Sequence, residues 1–100
     1  MMDKIRTDQK IKELHEQMAT KLKNMRVEVG FTSPRQVSKE IGAGEDAIYK
    51  LETMQSLPSK RTLMNLIQIY RMNNKEYKDL VSLRNQIIKL RKELKKATQV

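Results

Sequence analysis

One hundred residues carry 21 Lys and Arg against 12 Asp and Glu, a net charge of +9, with no Cys, one His and four aromatic side chains. A chain of this length buries about 60–65% of its unfolded surface, enough for one core, and the missing Cys excludes thiol chemistry and Cys-based zinc sites, leaving His15 as the one imidazole. The charge suits a polyanion, either nucleic acid or an acidic membrane surface, while so few aromatic rings argue against a single-strand binder built on base stacking. No stretch reaches the about 20 apolar residues of a membrane span, and the N-terminus lacks the apolar core of a signal peptide. A soluble, cytoplasmic protein is therefore expected. Three Gly and two Pro point to an all-α chain of five helices, at about 7–29, 34–41, 45–53, 59–72 and 75–97.

The first predicted helix aligns Ile11, Leu14, Met18, Leu22, Met25 and Val29 in one apolar stripe. Glu13, His15 and Glu16 share this helix, but a lone His without a second ligand type is expected on the surface. In the second helix Ser33 caps, Pro34 takes the first position, Gln36 completes a capping box, and Gly42 supplies the left-handed stop. The third runs through Ile48 and Leu51. The fourth, after Leu57-Pro58-Ser59, places Leu63, Leu66, Ile67 and Tyr70 on one face. In the fifth, Leu80, Leu83, Ile87, Leu90, Leu94 and Ala97 recur at 3-4-3-4-3 spacing, the seam of a short coiled coil. Val81 and Ile88 widen that stripe.

Residues 33–52 carry the chemistry. A short helix, a Gly-containing turn and a second short helix have the spacing of a helix-turn-helix. Val37, Ile41, Ile48 and Leu51 clamp the pair from inside, leaving the outer face of the second helix free for the major groove. The same spacing also describes an ordinary helix pair in a small bundle.

From about Leu22 to Met72 the sequence resembles the lambda-repressor-like (Cro and phage-repressor) helix-turn-helix family. Leu22, Met25 and Arg26 stand at its Leu-x-x-Leu-Arg, Gly30-Phe31 at its Gly-Leu, Val37-Ser38 at its Leu-Ala and Ile41-Gly42 at its Leu-Gly. Ile48 and Leu51-Glu52 match its recognition helix. Pro58, Leu63, Leu66 and Tyr70 match its fourth helix, with a one-residue shift before Ser33. The departures are Pro34 in place of a Gln that approaches DNA, Ser38 in place of Ala, Gly44 at a Ser/Thr cap and Met54 at a common Gly. The resemblance implies a sequence-specific regulator of transcription, a repressor on double-stranded DNA, with residues 22–72 as the DNA-binding domain. Residues 1–21 then form an N-terminal helical extension and residues 73–100 a basic C-terminal helix for dimerisation.

It also implies a structural ion pair between Arg26 and Glu52. Glu45, Asp46, Tyr49 and Lys50 become the expected base contacts. Arg35, Lys39, Thr53, Lys60 and Arg61 become the expected phosphate contacts, which position a protein without reading sequence. Glu45 and Asp46 are expected in the first turn of the recognition helix, where carboxylates complement its dipole or accept from cytosine.

A homodimer through Leu80, Leu83, Ile87, Leu90, Leu94 and Ala97 would match a palindromic operator; the alternative pairs the terminal helices within one chain. The charge is uneven, with net +2 over residues 1–32, +2 over 33–72 and +5 over 73–100. No enzyme activity, cofactor, metal, membrane or small-molecule ligand is expected. The rival reading is a repurposed protein-interaction module, such as an antitoxin, an adaptor or an accessory protein of phage or plasmid origin.

Overall fold

In the computed structural model the backbone is described for residues 4–98 and the side chains for residues 6–96. The described residues form five helices and no strand: α1 (Lys4–Glu28), α2 (Pro34–Glu40), α3 (Ala47–Glu52), α4 (Lys60–Ile69) and α5 (Asn74–Thr98). No helix among them is long and apolar enough to cross a membrane.

The starts of the helices are written in side chains. Ser33 accepts from the Gln36 amide while the Gln36 side chain accepts from the Ser33 amide, with Pro34 at the first position of α2. Ser59 accepts from the Thr62 amide to open α4 at 3.1 Å. Before α5, Asn73 and Glu76 exchange backbone-to-side-chain bonds of 2.8 and 3.0 Å. Each satisfies amide donors that the first helical turn leaves without partners.

The first four helices end alike. Each passes through one left-handed residue, after which an amide bonds back to the carbonyl five positions earlier. Phe31 bonds to Arg26, Ala43 to Ser38, Gln55 to Lys50 and Met72 to Ile67, at 2.8–3.1 Å. The left-handed residues are Gly30 (φ +98°), Gly42 (φ +68°), Met54 (φ +66°) and Arg71 (φ +53°). Only the two glycines adopt this conformation freely. At Met54 and Arg71 a side chain stands where glycine is favoured, and the closing hydrogen bond holds it there.

One apolar cluster joins all five helices. Leu14, Met18 and Leu22 of α1 meet Val37 of α2, Ile48 and Leu51 of α3, Leu63 and Leu66 of α4, and Leu80, Leu83 and Ile87 of α5. The segments 1–21, 22–72 and 73–100 therefore share a single core. α1 and α5 form the most extensive helix pair. They run antiparallel: Lys21, Met25 and Glu28 line a groove with Glu76 and Asp79, and His15 feels the charge of Arg91.

This packing revises two expectations. The seam assigned to a second copy is taken up inside the chain, since Leu80, Leu83 and Ile87 are buried against α1 and α4. Leu90 and Leu94 are half-buried, and the side chain of Ala97 lies outside the described residues. His15, expected on the surface, is buried, because it follows Leu14 on the edge of the stripe that α5 covers.

Candidate nucleic-acid interface

α2 and α3 are short, and polar bonds fix the angle between them. The Ser38 hydroxyl, buried in α2, accepts from the Ile48 amide of α3 at 3.1 Å. Asp46 precedes α3 at the cap position and makes no capping bond with its own side chain. Ser38 thus caps α3 from the neighbouring helix. Val37 and Ser38 on one side and Ile48 and Leu51 on the other are buried, so the inner faces are closed and the outer face of α3 is open. The family-like Ala at position 38 would lack this acceptor, a function that the sequence alone does not reveal.

Behind α3 lies the Arg26–Glu52 ion pair. Arg26 Nε donates to Glu52 Oε2 at 2.8 Å and a terminal nitrogen donates to Oε1 at 3.1 Å, a two-pronged geometry. The other terminal nitrogen donates to the Phe31 carbonyl at 2.8 Å. The two side chains are only 6% and 5% exposed, so this guanidinium is spent inside the fold and not presented to a ligand. Tyr70, buried and unbonded at its hydroxyl, has its ionisation pushed above the ordinary phenol range by burial first and by Glu52 second, with Arg26 opposing.

On the open side, Tyr49 is 48% exposed, and Lys50 and Thr53 are exposed beside it. The Thr53 hydroxyl donates to the Tyr49 carbonyl at 2.8 Å and accepts from the Gln55 side chain at 2.8 Å. Lys39, Lys60 and Arg61 are likewise exposed.

Glu45 and Asp46 do not belong to the first turn of α3; both sit in the preceding turn, since the helix starts at Ala47. The connection from α2 is longer than the short Gly-bracketed turn expected, and Ala43 and Gly44 lie inside it. Glu45 forms an ion pair with Arg35, which joins an expected base contact to an expected phosphate contact and cancels their charges.

Comparison of the chain with family models, with curated proteins and with solved structures finds no match.

His15 links α1 to the segment that follows α3. Its Nε2 lies 3.3 Å from the Ser56 carbonyl, to which the Nε2-protonated ring donates. Burial lowers its pKa from 6.5, the Ser56 bond works against this, and Arg91 lowers it further. Glu13 and Glu16 on the same helix are exposed. Among the described residues no three His, Cys, Asp or Glu side chains gather into a metal site.

Proposed function

We propose that this chain is a sequence-specific double-stranded DNA-binding regulator of transcription, a repressor of the lambda-repressor-like type, that places α3 in the major groove. The observation that supports it most is the α2–α3 pair, which is closed on its inner face by Val37, Ser38, Ile48 and Leu51 and presents Tyr49 and Lys50 outward. A helix about 10–12 Å across with its side chains fits a major groove about 12 Å wide. Tyr49 offers a ring to a thymine methyl or a hydroxyl to phosphate, and Lys50 offers an ammonium to guanine. Lys39, Lys60 and Arg61 supply phosphate contacts that set the register. With the α5 seam closed within the chain, binding to a palindromic operator as a homodimer requires a different contact between copies.

Selection of bound duplexes from a random library by the full chain tests this reading. One enriched sequence is expected, with Tyr49→Ala or Lys50→Ala reducing the preference for it by about 5- to 150-fold, the worth of a good base contact. If no duplex is preferred over bulk DNA at about 150 mM salt, the reading is wrong.

The Arg35–Glu45 pair favours a second reading. With Asp46 it leaves the turn before α3 without net positive charge, as suits a repurposed protein-interaction module. Retained function after Tyr49→Ala and Lys50→Glu would select that alternative.

A further inference from the structure

α5 has a second stripe on the side away from its apolar seam. Lys78, Ser82, Asn85, Lys89, Lys92 and Lys96 recur at 4-3-4-3-4 spacing, so they share one narrow face, and all six are exposed. The face is about 27 Å long at 1.5 Å per residue. It carries four ammonium groups, one hydroxyl and one amide, and no carboxylate. Glu76 and Asp79 instead turn toward α1, and Glu93 lies on the flank of the stripe. None of the four lysines makes an ion pair among the described residues.

Lys89–Lys92 and Lys92–Lys96 set like charges three and four residues apart, a small repulsion on a helix that an anion lying across the stripe relieves. One side of the stripe also reaches the start of α4. Lys60, at the start of α4, lines a groove of about 550 Å³ together with Tyr77, Lys78, Val81, Asn85 and Lys89. The expected phosphate contact of the DNA-reading unit and the α5 lysines therefore border the same groove.

We propose that the α5 stripe is a second grip on the phosphate backbone, continuing from Lys60, so that a duplex read by α3 is also held along α5. The inference rests on the duplex-binding reading above and adds to it the source of the sequence-independent affinity. A helix lying in a membrane surface needs an apolar side for the acyl chains, and that side of α5 is buried in the protein core. A phosphate backbone needs cations and neutral hydrogen-bond donors, which Lys78, Ser82, Asn85, Lys89, Lys92 and Lys96 provide. At about 3.4 Å per base pair the stripe spans about eight base pairs.

The test compares two full-length variants of equal net charge by fluorescence anisotropy on a 30-base-pair duplex across a salt series. One carries Lys78→Gln, Lys89→Gln, Lys92→Gln and Lys96→Gln. The other carries Lys10→Gln, Lys12→Gln, Lys21→Gln and Lys23→Gln on α1. The stripe variant is expected to lower the log–log salt slope by about three to four and to weaken binding about 10²- to 10³-fold near 150 mM salt, at about 0.9 in slope per lost contact. It keeps the wild-type sequence preference, and the α1 variant changes the slope by less than about one. All eight lysines are exposed, and an unchanged melting transition checks that the fold is intact.

Equal losses in both variants, or a wild-type slope in the stripe variant, overturn the inference while leaving the α3 reading in place. Failure of the wild-type chain to bind any duplex overturns both. Vesicles with anionic lipid form a second arm: loss of vesicle binding with intact duplex binding in the stripe variant assigns the face to a membrane and overturns the proposal.

Discussion

α2 and α3 span seven and six residues, whereas α1 and α5 span 25 each. Helices shorter than about 12–15 residues are marginal in water, so the short pair needs outside help. It is pinned by directional bonds: the Ser33–Gln36 capping box, the Ser38–Ile48 bond and the Arg26–Glu52 pair. The long pair is held by apolar side chains, with Leu14, Met18, Leu22, Leu80, Leu83 and Ile87 in one cluster. Hydrophobic burial is non-directional and tolerates small shifts; a two-pronged ion pair and a single amide-to-hydroxyl bond do not. The part of the molecule that presents the open face of α3 is thus the part oriented by hydrogen bonds, and the long hairpin supplies bulk stability behind it.

Breaking the strongest pin is the sharpest way to test this contrast. Glu52→Ala leaves the Arg26 guanidinium buried without its counter-ion and is expected to cost about 3–5 kcal/mol in urea unfolding. Selective loss of α2–α3 amide protection in hydrogen exchange before global unfolding would sharpen the contrast. A uniform loss across α1 and α5 would erase it.

Ser38→Ala is the next largest. It strips the buried Ile48 amide of its acceptor, for an expected loss of about 1–3 kcal/mol. Asp46 stands at the cap position with its side chain uncommitted to the helix, and its carboxylate is the available substitute. Asp46→Ala should therefore cost more in the Ser38→Ala background than alone, a coupling that a double-mutant cycle measures.

The smallest expected effect is a pH dependence at the joint between the two regions. The folded His15 holds its proton less tightly than the ordinary imidazole at 6.5, so the unfolded chain takes up the proton first. His15 therefore contributes full stability above about pH 6.5 and loses it as the pH falls through that value toward the folded pKa. Thermal melts between pH 7.5 and 5 should show this fall in the wild type and a flatter profile in His15→Gln.

The sequence makes the local features of the fold legible and the choice of helix partners much less so. Ser33, Pro34, Gln36 and Gly42 mark α2 at both ends because capping and left-handed stops depend on neighbouring residues only. Helix order and the inward set Val37, Ile48 and Leu51 follow from periodicity in the same way. The end of α4 is hidden because Arg71 takes a conformation for which Gly is the usual sign, while α3 ends within a residue of the expected 53 although Met54 does the same. α3 starts later than the sequence pattern suggests, because Glu45 and Asp46 resemble first-turn acids although the turn extends to include them. The α5 seam could not reveal its partner, since Leu80, Leu83 and Ile87 recur with the same spacing whether they meet α1 or another copy. Ser38 is legible as a departure from Ala, but its bond to Ile48 depends on a packing distance that no spacing encodes.

The antiparallel pairing of α1 with α5 also orders events in time. Among the described helices α1 is separated from its main partner by α2, α3 and α4, so Leu14, Met18 and Leu22 are only partly covered until α5 is made. Folding of this core must therefore wait for a contact between the two ends of the described chain, the most non-local contact available and the slowest kind to form.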